Sequence, residues 1–371
     1  RATATSTVRP AGPTVSGAAV SVGNPSSGSF LDGNALVTGG SNTGAAATPA
    51  ATIFDHLTNT WAATTVMGTA RWGHKQSTLT AGSNAGRVFV TGGQSVNLGA
   101  ALATTEMYNP ATATWTAKAS MSQARADHAQ VVLADGRILV VGGRSLNGYD
   151  LVYDLGPMLS SCEIYDPDTN TWTSTGRMSF SRTLHRAVLL QDGRVLVVGG
   201  YGCRPGQPDD IFVVRDAEIW DPATGAWRPA GRTRHERDVP IVHVLSTGKV
   251  VVSGGIDSTT TEIFDPVTMR WRRGLGTTLL RGEAVSVLME NDLIFTAGGY
   301  DPTNPFFAGD TQQRLYIPAS DEVASGSLNG IFRVTEVVDT TTFKYETPGE
   351  GSYTRNSSPA ATVTPAAAPE K

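Results

Sequence analysis

Residues 137–143 read RILVVGG, and residues 163–172 read EIYDPDTNTW. The first stretch follows the pair Asp135-Gly136, a tight hairpin-turn signal, and runs through aliphatic and β-branched residues into a diglycine. The second places an Asp-Pro-x-Thr turn between two segments of strand composition, with Tyr165 seven residues before Trp172. One such unit predicts four antiparallel strands and no helix.

Both stretches recur outward from this unit, and self-similarity at a fixed period marks a repeat architecture. Diglycines close apolar runs at Gly39-Gly40, Gly92-Gly93, Gly142-Gly143, Gly199-Gly200, Gly254-Gly255 and Gly298-Gly299, at steps of 53, 50, 57, 55 and 44 residues. A turn residue stands six positions before each: Gly33, Gly86, Gly136, Gly193, Gly248 and Asp292. After each of the first five comes an aromatic and then a tryptophan: Phe54 and Trp61, Tyr108 and Trp115, Tyr165 and Trp172, Trp220 and Trp227, Phe264 and Trp271. A third register holds Arg125, Arg182, Arg237 and Arg281 seventeen residues before a diglycine. Arg71 joins it once the four-residue excess in TAGSNAGR is allowed for.

This combination resembles the kelch repeat of β-propellers, whose hallmarks are the diglycine after an apolar strand and then Tyr and Trp at fixed spacing. The resemblance implies an all-β, six-bladed kelch-type propeller over residues 1–325. It assigns Trp61, Trp115, Trp172, Trp227 and Trp271 a structural role between blades. The sixth unit departs from the pattern: RLYIPASDEV keeps Tyr316, but Val323 stands where Trp is expected. That unit either lacks a regular outer strand or is completed by the N-terminal segment. Residues 326–350 are expected to form a short C-terminal β-hairpin extension, and residues 351–371 an Ala/Pro-rich extended tail.

In such a blade the links between units share one face with the second-to-third-strand loops. These connections carry the length variation, at 41–50, 144–160, 201–217 and 300–313, and loop variation on one rim of a rigid scaffold is where binding concentrates. Two sets of candidate ligand-binding residues fall there. The arginine register, Arg71, Arg125, Arg182, Arg237 and Arg281, is placed to rim the central channel and meet an anion. The alternative is structural, because Glu106, Glu163, Glu218 and Glu262 start the third strands on the same face and would pair with the arginines. Tyr149, Tyr153, Tyr201, Phe306 and Phe307 supply aromatic surface for a glycan or a protein, or else pack their own loops down. Cys162 and Cys203 fall on this face too and are open to pairing or to remaining free thiols.

Catalysis has little to stand on. Some kelch-like propellers are secreted copper radical oxidases, which need two tyrosines, two histidines and a Cys cross-linked to one Tyr. Here His74, His128 and His185 each follow a register arginine by three residues, and that repetition points to a structural or rim role. No GxSxG, HExxH or P-loop pattern is present. No cofactor and no metal are therefore expected. Charged residues are 17% of the chain and the net charge is −4, so a nucleic-acid partner is not expected. No run of eighteen apolar residues exists to insert into a membrane. The opening RATATSTVRP has neither an initiator Met nor an apolar signal segment, which reads as a processed or trimmed chain.

Near the C-terminus, residues 328–346 read LNGIFRVTEVVDTTTFKYE, two alternating segments around a turn. The stretch resembles an NGxFxVTxVxDxTTFxY pattern of bacteriophage virion proteins. That resemblance implies a non-enzymatic virion surface protein, a tail, fibre or decoration component. Its partners would be other virion proteins and a host-surface glycan or protein, within a homo- or hetero-oligomeric assembly. The other readings are a secreted kelch lectin or copper oxidase-like protein, and an intracellular kelch interaction scaffold.

Overall fold

The computed structural model describes residues 34–40, 47–55, 57–58, 60–95, 100–145, 157–255, 260–274, 292 and the strands beyond these limits given below. Among the described residues the elements are β-strands. Among the described residues no helix is long and apolar enough to cross a membrane. Two compact units occur, one ending at Arg232 and the other beginning at Thr233.

In the unit ending at Arg232, four four-stranded antiparallel sheets follow one another in sequence order. The first comprises Ser26–Ser29, Ala35–Thr38, Ala51–Asp55 and Thr60–Ala63; the second Lys75–Thr78, Val88–Thr91, Thr105–Asn109 and Thr114–Lys118. Ala129–Val132, Ile138–Val141, Cys162–Asp166 and Thr171–Thr175 form the third. The fourth contains Arg186–Leu189, Val195–Val198, Asp216–Asp221 and Ala226–Arg232. The innermost strand of each sheet lies beside that of the next. The unit beginning at Thr233 holds a fifth sheet of the same kind, Ile241–Val244, Val250–Ser253, Thr261–Asp265 and Arg270–Arg273. Its sixth sheet has seven strands: Val285–Leu288, Ile294–Ala297, Arg314–Ile317, Gly330–Val337, Thr342–Glu346, Ser352–Asn356 and Thr364–Pro365.

The sixth sheet resolves the question raised by Val323. Its fourth position is taken by Gly330–Val337, which pairs antiparallel with Arg314–Ile317, and Thr342–Glu346 adds to that strand. The segment expected to stand apart as an extension thus continues the last sheet. At the other end, Ser26–Ser29 pairs with Ala35–Thr38 as the first strand of the first sheet.

The core lies between sheets, which explains why the diglycine strands are apolar on both faces. Ile138 and Val140 pack toward the second sheet against Leu79, Phe89 and Met107, while Leu139 and Val141 pack toward the fourth against Val195, Val197 and Trp220. Each tryptophan lies across from its aromatic partner, with ring centroids 5.0 Å apart for Tyr108–Trp115 and 5.1 Å for Tyr165–Trp172. Its indole also reaches the preceding sheet. Trp115 Nε1 donates to Thr65 O, Trp172 Nε1 to Ala119 O and Trp227 Nε1 to Gly176 O. The four-residue excess of the second sheet has a local purpose as well. Ser83 donates to Asp168, and Asn84 to Pro167 O, so the longer turn clasps the outer turn of the third sheet.

Candidate functional site

The register arginines are internal. Arg71, Arg125, Arg182 and Arg237 are all 0% exposed. Arg125 Nη2 lies 2.7 Å from Glu163 Oε1, and Nη1 donates to the carbonyls of Gly142 and Ser161. Arg71 repeats this with Glu106, Gly92 O and Thr104 O, and Arg237 with Glu262, Gly254 O and Thr260 O. Arg182 pairs with Glu218 at 2.8 Å. The glutamates are completed by main-chain donors of the incoming link: Gly68 and Thr69 for Glu106, Ser122 and Gln123 for Glu163, Ser179 for Glu218.

The arginine main chain faces the other way. The carbonyls of Arg71, Arg125 and Arg182 accept from Gly40 N, Gly93 N and Gly143 N, the second glycines of the preceding sheets. Each arginine therefore holds the sheet before it by its backbone and the sheet after it by its side chain. Gly93 and Gly143 have φ of 90° and 97°, and a Cβ on either would strike the carbonyl of the link or the following histidine. Of the two roles the sequence left open, this geometry is the one the structural role calls for at these four arginines. Their guanidinium groups are committed before any ligand arrives. Arg281 lies outside the described residues.

The histidines three positions on belong to the same junctions. His74 Nε2 is 2.8 Å from Thr38 Oγ1, and His128 Nε2 is 2.7 Å from Thr91 Oγ1. Each threonine donates to a glutamine, Gln76 or Gln130, whose amide nitrogen donates back to Leu36 O or Phe89 O. With the threonine proton so used, the network assigns the imidazole proton to Nε2. At the next junction Val141 replaces the threonine and Ala187 the glutamine, and His185 is buried against aliphatic surface. Burial holds His74 and His128 well below the ordinary imidazole range and lowers His185 to about 3, with Arg182 as the next cause. Among the described residues no three His, Cys, Asp or Glu side chains are grouped to hold a metal ion. Nor do Cys162 and Tyr165 offer a thiol and a phenol placed for such a copper set. Cys162 is buried, its thiol pushed up to about 12 by desolvation, and it donates to Ser160 O; Tyr165 stacks on Phe89 and donates to Asn170. Cys162 and Cys203 are free, so the open pairing resolves to separate thiols.

Past the diglycines at 92–93, 142–143 and 199–200 the chain makes a second, smaller layer, which sequence reasoning missed. Gln94 bridges Trp72 on one side and Ala101 on the other; Arg144 does the same between Ala126 and Met158. In the fourth sheet this layer grows into a three-stranded ribbon, Ser181–Thr183, Tyr201–Arg204 and Gln207–Val213. The signal was the residue directly after these three diglycines, which takes an equivalent place: Gln94, Arg144, Tyr201. Arg144 Nε donates to Asp127 at 2.8 Å, and its guanidinium stands 6.0 Å over the Trp72 ring. Asp127 sits at φ 50° and Leu184 at φ 58°, in the register position that Gly73 fills in the second sheet. Asp127 N donates to Gly73 O and Leu184 N to Asp127 O, so main-chain bonds step from sheet to sheet. Tyr201 is half-buried in the ribbon, as the sequence placed it within a long connection. Tyr149, Tyr153, Phe306 and Phe307 lie outside the described residues.

Comparison with known proteins agrees on the repeat. Residues 77–122 and 125–179 match models of the kelch motif. The chain is 32% identical over 115 residues to Kelch repeat and BTB domain-containing protein 12 of Danio rerio, covering 31% of this chain and 18% of that protein. It is 34% identical over 131 residues to Kelch-like protein 28 of Homo sapiens, covering 35% and 22%. The chain thus spans less than a quarter of the length of either relative. Among solved structures, a fungal alcohol oxidase of the AA5 family in complex with copper superposes with TM-score 0.61 at 19% identity, over 89% of this chain and 70% of that one. The structure of YjhT also gives TM-score 0.61, at 15% identity over 83% and 97%. At these identities the likeness is one of fold. The described residues are all-β, residues 77–122 and 125–179 match the kelch motif, and the fold has propeller-like neighbours.

Proposed function

We propose that the chain is a non-catalytic kelch-repeat binding protein, a six-bladed propeller that meets its partner through the connections following its diglycines. One observation carries this reading: the repeated polar residues are spent between sheets. Arg71, Arg125, Arg182 and Arg237 have no exposed surface, and each guanidinium is occupied by a buried glutamate. Recognition then falls to the parts that differ from unit to unit, above all the ribbon Tyr201–Val213. A rigid scaffold with variable connections is the common arrangement of a binding protein.

The finer reading is a phage virion surface protein, a tail, fibre or decoration component outside the cell, with a host glycan or another virion protein as partner. It is supported by the resemblance of residues 328–346 to virion proteins and by the low charge of the chain. Mass spectrometry of purified particles tests it: peptides of this chain at structural stoichiometry are expected, and their absence overturns it. The binding reading has its own test, the retention of the recombinant chain on host cell envelopes. Replacing Tyr201 and Phe212 with Ala is expected to lower retention at least tenfold, and unchanged retention would remove the ribbon from the binding surface.

A further inference from the structure

Two sheet edges of this chain carry opposite charge. Among the described residues the ribbon strand Gln207–Val213 pairs on one side only, with Tyr201–Arg204. Its sequence is QPDDIFV; residues 207–210 are exposed and 211–213 half-buried. Asp210 meets Arg204 in an open surface pair, while Asp209 has no ion-pair partner among the described residues. The strand is held in shape: Phe212 meets Phe180 edge-on with ring centroids 5.9 Å apart, and the Arg204 guanidinium stands 5.0 Å over the Phe212 ring. This is a braced strand with an open, acidic edge.

The outer strand of the fifth sheet, Arg270–Arg273, is its counterpart. Among the described residues it pairs only with Thr261–Asp265, and its sequence is RWRR. Arg270 and Arg273 are exposed and have no ion-pair partner among the described residues. The corresponding strands of the first three sheets, TWAA, TWTAK and TWTST, are neutral or carry one lysine. That of the fourth, AWRPAGR, is interrupted by Pro229, and its Arg232 is paired with Asp216. Arg270–Arg273 is therefore the basic edge without a proline.

Charged residues on an open strand protect it from pairing when like meets like. Here one chain offers an acidic edge and a basic edge, so a second copy brings opposite charges together and the protection is reversed. We infer that copies of this chain associate head to tail, Gln207–Val213 of one pairing with Arg270–Arg273 of the next, each main chain supplying the strand the other lacks. Pro208 withholds one donor, which leaves the main chain from Asp209 to Val213 for the pairing. Asp209 and Asp210 meet the arginines across the pair. Such an interface joins two different patches, so it propagates along a row of copies rather than stopping at a symmetric pair.

Sedimentation velocity over a concentration series tests the inference. The wild-type chain is expected to associate at about 0.01 M salt, where the Debye length is about 30 Å, and to separate at about 1 M salt, where it is about 3 Å. The double variants Asp209→Lys with Asp210→Lys, and Arg270→Glu with Arg273→Glu, are each expected to sediment as single chains at low salt. Mixed together they present opposite edges again, and the mixture is expected to associate. That rescue separates the inference from misfolding, since two misfolded variants do not restore each other. A wild-type chain that stays single at every concentration, variants that associate as the wild type does, or a mixture that remains single chains would each overturn it.

Discussion

A residue's repeat position tells less than what its neighbour offers, as the histidines following the register arginines show. His74 and His128 are anchored by threonines, and where Val141 takes that place Ala187 has also replaced the glutamine. Thr91 is therefore the hinge of a three-member network. Thr91→Val removes the hydroxyl that joins His128 and Gln130, and leaves both with unmet polar atoms in a dry junction. A loss of about 1–3 kcal/mol in denaturant stability is expected. A loss under about 0.5 kcal/mol would show that the network carries little. The sequence made the arginine and histidine registers legible, because both keep fixed spacing to a diglycine. It left the arginines' role open, because burial depends on how closely successive sheets approach. The Trp72–Arg144–Asp127 group was illegible for a related reason. Its members come from two links and one post-diglycine residue, and only the smaller layer above the sheets brings them together.

Among elements, the outer turns follow local chemistry closely. Asp55, Asp166 and Asp265 each accept from the main-chain amides two and three residues on, and the fifth turn position is left-handed in Ala113, Asn170, Gly225 and Met269. Ala113 has φ 52°, a conformation that costs an L residue about 1–2 kcal/mol. Ala113→Gly relieves that cost at a half-buried turn position and should stabilise the second sheet by about 1 kcal/mol less the small packing contribution of the lost methyl group, read from the midpoint of chemical denaturation; a destabilised variant would refute the strain. The strands and turns of the first five sheets were legible because each keeps its diglycine, and an aromatic seven residues before a Trp around an Asp- or Asn-started turn ending in Thr. The sixth sheet was not, because its fourth strand lies at 330–337, far beyond the position where a tryptophan was expected. The ribbon at 201–213 was equally hidden: its residues read as a long connection, and only its pairing with Ser181–Thr183 makes it a sheet.

For the whole molecule, stability is a property of the junctions between sheets. They set its pH dependence. His185 has a folded value of about 3 against 6.5, with burial as the first cause. A depressed value means the unfolded chain takes the proton first. The contribution is thus fully present above about pH 6.5 and is lost as the pH falls toward about 3, at about 1.4 kcal/mol per pH unit for this one group. His185→Leu should flatten that dependence between pH 6.5 and 4 in denaturant titrations, and an unchanged slope would place the protonation elsewhere. The central claim is that the arginine register stitches sheets together and does not await a ligand. Removing one partner of a buried pair strands the other charge, at about 3–5 kcal/mol, whereas a ligand-binding arginine can be lost without harm to folding. A double-mutant cycle on Arg125 and Glu163, read by chemical denaturation of the ligand-free protein, tests this directly. The account predicts that Arg125→Ala is strongly destabilising and that the two replacements couple by about 2–3 kcal/mol. An Arg125→Ala variant as stable as the wild type, with no coupling to Glu163, would contradict it.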